Sequence, residues 1–198
     1  MATTLSHVVS HPELMPEQIE RASRLLSMTR EAFVESTVGL SNLQWEFKPA
    51  IDRWSIAEIV EHVALIEDRV HAIVGKMSDA PAPSEADRIQ IDDLILKEVP
   101  KRTRRVKAPE SVCPTHRWSG VEALQHFTGS RQKTIQLLLS PSLRGHVVPH
   151  PVYGPWDGYQ WLLAVGAHTA RHTEQIGEVK SDTNFPQIWS YDLTAHLD

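Results

Sequence analysis

Apolar residues recur every three or four positions in four long stretches of the chain, which is the spacing of an amphipathic α-helix. This pattern predicts helices over residues 16–39, 55–77, 119–140 and 157–180, after an N-terminal tail of residues 1–15. Four long amphipathic helices with one long connection in the middle are typical of an all-α four-helix bundle. We therefore expect the whole chain to form a single domain of this class.

The start of each of the last three helices is marked by a capping box, in which one side chain caps the helix and a Glu or Gln three residues later bonds back. The pairs are Ser55 and Glu58, Ser119 and Glu122, and Asp157 and Gln160, each with a tryptophan just before it. Pro16 is placed to open the first helix and Gly39 to end it. Glu58 also lies one turn before His62, so a catalytic carboxylate is an alternative, but the capping role explains Glu58 at least as well.

The second helix has a wide apolar stripe, made by Ile56, Ile59, Val60, Val63, Ile66, Val70, Ile73 and Met77. Glu67 lies near the centre of this stripe, where an unpaired carboxylate would be costly, so we expect it to form a buried salt bridge or hydrogen bond. The inward face of the third helix is predicted from Val121, Leu124, Ile135 and Leu138. His126 falls on the opposite side of that helix and is expected to be exposed.

Two connections break the helical pattern. Residues 78–118 contain a Pro-rich segment, the run RIQIDDLILKEV, which predicts a short helix or a strand-like piece, and a basic, turn-rich segment. The cations of the basic segment could hold an anionic ligand, although a solvated loop is the commoner case: Lys101, Arg102, Arg104, Arg105 and Lys107. The second connection, SLRGHVVPHPVYGP, is rich in Pro and Gly and predicts no regular element. No segment alternates for long enough to predict a sheet.

Composition and charge exclude several classes of function. The chain of 198 residues has a formal net charge of −5 and a pI near 6.1, whereas nucleic-acid-binding proteins usually carry a basic excess. No apolar run approaches the roughly 18 residues that a bilayer crossing needs. The N-terminal segment lacks the features of a signal peptide, and Cys113 is the only cysteine, which fits a reducing compartment. We expect a cytoplasmic protein with no nucleic-acid or membrane partner.

The strongest candidate chemistry is a pair of histidines on the last helix. His168 and His172 are four residues apart, which places their side chains on one face, one turn above the other. That face is the inward edge of the helix, and His62 has the same marginal position on the second helix. The three could be core histidines satisfied by ordinary hydrogen bonds, or ligands of a divalent metal. Three imidazoles would leave coordination positions open for water or substrate, as in catalytic sites.

Two segments, WSIAEIVEHVALIE and HPVYGPWDGYQWLLAVGAHTARHTEQI, resemble the DinB-like superfamily of metal-binding four-helix bundles. The resemblance spans about residues 17–180, which is essentially the whole globular part of the chain. Its paired pattern is W-S-x-x-E-x-x-x-H followed by H-x-x-x-R-H-x-x-Q-I. The match places His62, His168 and His172 at the metal-ligand positions of that family.

The resemblance also implies which residues surround the ligands. The Arg and Gln of the second motif correspond to Arg171 and Gln175, which we expect to line the pocket or to contact the ligands. Glu58 and His150 are further candidates for this role. The insert at residues 78–118 distinguishes the chain from the mycothiol-dependent isomerases of this superfamily, and unlike them we expect it to have no second domain.

Similar proteins include bacillithiol S-transferases, mycothiol-dependent isomerases and many bundles without an assigned reaction. We expect a metal-dependent transferase or hydrolase in which Zn²⁺ or Ni²⁺ activates a small thiol or water for reaction with a small-molecule substrate. No side chain is an obvious general base; Glu58, Glu61 and His150 are the candidates. The alternative is a non-catalytic bundle that binds a metal or a small molecule.

We also expect a homodimer, because bundles like this one often pair through helix faces. The chain has more large aromatic residues near its helix ends than the core of one bundle needs: Phe33, Trp45, Trp118 and Trp189.

Overall fold

The computed structural model describes residues 13–82, 91–103, 107–141, 143–150 and 153–187. Within these ranges the chain forms α-helices, which we number α1 to α6, and a two-stranded sheet. Their bounds in chain order are α1 Pro16–Glu35, α2 Asn42–Glu46, α3 Ile56–Gly75, α4 Asp92–Glu98, α5 Gly120–Leu137, β1 Val147–His150, β2 Gly154–Asp157 and α6 Gly158–Lys180. None of these helices combines the length and the hydropathy that a membrane crossing requires. Some of the predicted features lie outside the described residues. They are residues 1–12 of the tail, Arg104 and Arg105 of the basic segment, and Trp189, one of the aromatic residues that motivated the homodimer.

The long helices α1, α3, α5 and α6 pack side by side as a bundle, which confirms the predicted fold class. α3 packs against both α5 and α6, and α6 also packs along α1. Fully buried Leu26 and Leu162 belong to one core cluster, and fully buried Phe33 and Ile59 belong to a second. The inward faces of the long helices are removed from water only when the four helices assemble, which is what buries the apolar residues of both clusters.

The three predicted capping boxes are present. The side chains of Ser55, Ser119 and Asp157 each accept a hydrogen bond from the backbone N–H three residues later. Each bond satisfies a donor that the first turn would otherwise leave unpaired, so the helices begin where predicted. Helix α1 ends earlier than predicted, at Glu35, because the chain tightens into a turn that leads to Gly39 at φ +73°. Helices α3 and α5 also end a few residues before their predicted bounds.

The connection before α6 contains an antiparallel hairpin, so our prediction of no regular element there was wrong. Its register pairs Val147, Val148, Pro149 and His150 with Asp157, Trp156, Pro155 and Gly154. The prolines hid the strand pattern, because a residue without an N–H usually argues against a strand. Both strands of a two-stranded sheet are edge strands, where such residues are tolerated.

The other connections contain short helices. The segment before α3 includes α2, whose start carries a capping box of Ser41 and Gln44 that our sequence analysis overlooked. Helix α4 confirms the helical alternative for RIQIDDLILKEV and packs against α6. Arg144 ties α4 to the start of α6, because it pairs with Asp92 at 2.6 Å and with Asp157 at 2.8 Å. The long connection is therefore fastened to the bundle.

The predicted inward face of the third long helix, α5, was wrong in part. Val121 is 51% exposed, and the buried positions of α5 are Gly120, Ala123, Phe127, Ser130, Arg131 and Thr134. Three of these six are polar, so an apolar stripe could not reveal the face. His126 is half-buried rather than exposed, since its Nε2 lies 2.9 Å from the carboxylate of Asp68 and its ring stacks on Trp118.

Candidate metal centre

Three histidines from two helices meet between α3 and α6. His62 lies in the second turn of α3, and His168 and His172 lie one turn apart on α6. One nitrogen from each ring lies within 4.8 Å of the other two. The Nε2 of His168 is 3.4 Å from the Nε2 of His62 and 3.1 Å from the Nε2 of His172. The fold thus brings together the three residues predicted as ligands, in a group that could hold a metal ion.

A backbone carbonyl of the long connection fixes the ring of His62. Its Nδ1 lies 2.7 Å from the oxygen of Val112. A carbonyl oxygen only accepts, so Nδ1 donates and the neutral ring keeps a lone pair on Nε2. The indole of Trp54 packs on the same ring at a centroid distance of 4.9 Å. His62 is consequently only 4% exposed. Its unprotonated Nε2 is directed to the other two histidines.

A glutamine one turn along α6 fixes the ring of His172 in the same way. Its Nδ1 lies 2.8 Å from Oε1 of Gln175. Arg102 donates from Nη1 to the same oxygen at 3.2 Å, so this end of the amide is the acceptor. Nδ1 of His172 therefore carries the proton, and its Nε2 has the free lone pair. The expectation that Gln175 contacts a ligand residue agrees with this geometry.

His168 differs from the other two histidines. Its Nδ1 is buried and has no hydrogen-bond partner among the described residues. It is also the one residue of the three that keeps partial exposure to solvent. Among the described residues, the solvent-exposed part of the group therefore belongs mainly to His168.

Burial keeps all three imidazoles uncharged. Desolvation lowers the pKa of His62 to about 4, against the opposing effect of its bond to Val112. Desolvation, followed by the neighbouring rings, lowers the pKa of His168 and of His172 well below the usual value. The neutral ring is the form that binds a metal. The three residues are consequently held in the ligand form at neutral pH.

This donor set fits a divalent cation. Imidazole nitrogen suits Zn²⁺ and Ni²⁺, and metal-binding histidines usually donate their second N–H to a carbonyl or carboxylate. His62 and His172 have this arrangement, with Val112 and Gln175 as the acceptors. The Nε2 lone pairs of His62 and His172 both face Nε2 of His168, so at least two ring nitrogens of the group are free to bind a cation.

The two acidic candidates on α3 have other bonds. Glu58 caps the helix through the N–H of Ser55 at 2.8 Å and pairs with Lys48 at 2.6 Å, which confirms its capping role. Glu61 is 2% exposed, and its carboxylate accepts from the backbone N–H groups of residues 115–117 at 2.9 to 3.2 Å. Glu61 therefore holds the connection that also supplies Val112, a role that sequence analysis missed because backbone donors have no sequence signature.

The two other predicted pocket residues, His150 and Arg171, do not belong to the histidine group. His150 ends β1, and its ring stacks on Trp156 at a centroid distance of 4.0 Å. Burial, then the charge of Arg69, lowers the pKa of His150 to about 4. Arg171 is next to His172 in the chain and half-buried, and burial, then the charge of Arg102, lowers its pKa.

A second buried polar group adjoins the histidines. Glu67 and Arg131 form an ion pair in which both side chains are 0% exposed, which agrees with the salt bridge expected for Glu67. Arg131 also donates to the carbonyl of Leu26 at 3.0 Å and to Thr169 at 2.6 Å. Thr134 donates to the second carboxylate oxygen of Glu67. The pair thereby connects all four long helices.

Comparison with known proteins agrees with the fold. A family model described as the DinB superfamily matches residues 25–176, a range that includes all three histidines. An uncharacterised protein of Bacillus subtilis (strain 168), YuaE, is 27% identical over 162 residues, which cover 78% of this chain and 96% of that protein. The similarity therefore extends over nearly the whole bundle.

Proposed function

The chain belongs to the DinB superfamily, and on that basis we propose that it is a metal-dependent transferase or hydrolase in which His62, His168 and His172 hold one divalent ion. The proposed ion is Zn²⁺ or Ni²⁺, and the proposed reacting group is a small thiol or water. The observation that supports this most is the convergence of three uncharged imidazoles, two of which donate from Nδ1 to fixed acceptors.

The chemistry follows from the ligand count. When bound, the ion would lower the pKa of a thiol or water, so that the anion is available near neutral pH. Three protein ligands are typical of catalytic zinc sites, whereas structural sites usually have four. Trp54 and Val112 cover His62, so the partly exposed His168 favours its own side for the approach of a small-molecule substrate.

A structural role for the metal competes with this proposal. The bundle has supports that need no ion, namely its capping boxes and the buried pair of Glu67 and Arg131. These supports favour a fold that persists without metal, and hence a metal that binds or activates a ligand. Small-molecule binding without catalysis is the second candidate function.

The test compares metal-loaded protein, chelated protein and the His168→Ala variant. Circular dichroism melts measure whether the bundle persists, and calorimetric titration with cysteine, N-acetylcysteine and glutathione measures thiol binding. We expect the chelated protein to stay helical and to unfold cooperatively, and a thiol to bind only the metal-loaded form. Collapse of helicity on chelation, or thiol binding that chelation leaves unchanged, would contradict the proposal.

Turnover separates an enzyme from a binding protein. The metal-loaded protein is incubated with each thiol and a panel of alkyl halides and epoxides, and separately with a panel of amides and esters. Product formed by the metal-loaded protein and lost in His168→Ala would support a transferase or a hydrolase, respectively. Thiol binding without any product would favour the non-catalytic alternative.

A further inference from the structure

The long connection between α3 and α5 contributes an arginine that reaches α6 beside the histidines. Arg102 donates from Nε and Nη2 to the two carboxylate oxygens of Glu178, each at 2.7 Å. Its remaining nitrogen, Nη1, donates to Oε1 of Gln175 at 3.2 Å. The side chain is 17% exposed, and its fork spans Gln175 and Glu178, which are neighbours on one face of the helix. The ion pair with Glu178 thus aims the third donor at Gln175.

The amide of Gln175 has one accepting end and one donating end. Two donors, Nη1 of Arg102 and Nδ1 of His172, face its oxygen, and only one orientation of the amide satisfies both. Without Arg102 the amide is free to rotate by half a turn and to present its NH₂ to His172. That orientation favours the tautomer of His172 with the proton on Nε2, the nitrogen that faces the other histidines.

We infer that Arg102 is a positioning residue of the metal centre: by donating to Gln175 it holds the amide in the orientation that leaves the Nε2 lone pair of His172 free for the metal. The inference rests on the proposed function, because it assigns a role in holding the proposed ion. The basic connection that carries Arg102 is then neither a solvated loop at this residue nor a site for an external anion.

A double-mutant cycle of Arg102→Ala and Gln175→Glu tests the inference. A carboxylate has acceptors at both ends, so its rotation cannot present a donor to His172. The probe is Co²⁺, whose dissociation constant is measured by absorbance titration and checked by competition with Zn²⁺. We expect Arg102→Ala to weaken Co²⁺ binding by roughly 10- to 100-fold in the Gln175 background, as for other residues that orient metal ligands. In the Gln175→Glu background we expect no measurable further loss.

Two more variants separate orientation of the amide from anchoring of the connection. Arg53→Ala is the matched control, because Arg53 pairs with the same Glu178 at 3.5 Å and its ion pair makes no use of Gln175. We expect Co²⁺ binding of this variant to match the wild type. Arg102→Lys keeps a positive charge for Glu178 but lacks the fork that also reaches Gln175, so it should weaken Co²⁺ binding as the alanine variant does. Thermal melts of all variants verify the fold.

Equal losses in both backgrounds, no loss in Arg102→Ala, or a similar loss in Arg53→Ala would each overturn the inference. Full Co²⁺ affinity in Arg102→Lys would do the same, because the charge alone would then suffice. These results leave the proposed function standing, since the wild type binds metal in all of them. A wild-type protein that binds no Co²⁺ or Zn²⁺ would instead contradict the metal centre itself.

Discussion

Two groups of buried polar side chains meet at neighbouring residues of α6, and they differ in whether their hydrogen-bonding atoms all have partners. Thr169 belongs to the group of Glu67 and Arg131, in which opposite charges are paired and each guanidinium nitrogen donates to an acceptor of the chain. The preceding residue, His168, belongs to the histidine group, where its Nδ1 has no partner in the described part of the chain. Buried polar groups are normally satisfied, so the first group is complete within the chain, whereas the second leaves a polar atom unsatisfied.

The two groups also avoid the cost of burial by different means. A guanidinium cannot lose its proton, so Arg131 is buried only because the chain supplies its counter-charge and acceptors. An imidazole can lose its proton, and burial lowers the pKa of each of the three histidines so that the ring is neutral. The neutral rings that result are in the form that can bind a cation. Measurements that disturb one group and not the other therefore test the comparison.

The largest effect is expected from breaking the ion pair. Arg131→Met leaves the carboxylate of Glu67 buried without its partner and should lower the free energy of unfolding by about 3 to 5 kcal/mol. Urea denaturation followed by circular dichroism measures this loss. The matched control is the double variant with Glu67→Leu, which removes the stranded charge and should recover much of the stability. A loss below about 1 kcal/mol in the single variant would show that the pair is not the structural group we describe.

A smaller effect is expected when the chelated protein is acidified. The pKa of His62 is about 4 in the fold against 6.5 as the ordinary value, so between these pH values the unfolded chain binds a proton that the folded chain does not. Stability is therefore fully present above pH 6.5 and falls as the pH drops through this window, by about 3 kcal/mol for His62 alone. His168 and His172 act in the same direction.

Urea unfolding of the chelated protein at a series of pH values measures this slope. The control is His62→Asn, which removes one titrating group and should flatten the dependence. Equal slopes in the wild type and in this variant between pH 6.5 and 4 would contradict the burial of His62 as a neutral ring.

A still smaller effect on stability is expected from His168→Ala, which should nevertheless abolish stoichiometric metal. Two imidazoles rarely retain an ion against buffer, whereas the fold loses a ring whose Nδ1 makes no hydrogen bond among the described residues. The expected loss of unfolding free energy in the chelated protein is about 1 kcal/mol, well below that of Arg131→Met. Elemental analysis and urea denaturation measure the two quantities. Equal metal content in wild type and variant would contradict the assignment of His168.

The sequence predicted the elements and residues whose signal is local. Helical spacing places His168 and His172 on one face of α6, and the capping box that includes Glu58 fixes the start of α3. Once those helices are placed, the position of His62 at the edge of its stripe brings it to the same interface. Local periodicity was sufficient because these three residues lie on long, strongly patterned helices.

Three residues that support the two buried groups could not be predicted, because their contacts are distant in the chain or involve the backbone. Arg131 meets a carboxylate 64 residues away, and nothing in the pattern of α5 marks a buried cation. Val112 contributes only its carbonyl to His62, and every residue type has one. Arg102 belongs to a basic run whose members have no periodicity that distinguishes one from another. The roles of these three residues become visible only from the tertiary contacts.

The homodimer was expected partly because of large aromatic residues near the helix ends, and the structure gives those that it describes other roles. Phe33 and Trp45 are buried within the chain, and Trp118 is half-buried against His126, so these aromatics do not form an exposed pairing face. The large apolar side chains that remain on the described surface are mostly aliphatic, with Leu43 at 75% and Leu139 at 77% exposed. Pairing through such scattered residues would be weak.

The smallest effect is therefore expected from dilution. Light scattering across a dilution series should show a dimer that dissociates, and a monomer mass throughout the micromolar range would remove the homodimer. The Co²⁺ dissociation constant, measured at each protein concentration, should stay the same, because all three proposed ligands come from one chain. If metal stoichiometry instead fell in step with the dimer, the partner copy would have to supply a ligand. The histidine group would then be completed by protein, as the group of Glu67 and Arg131 is, and the contrast between the two buried groups would fail.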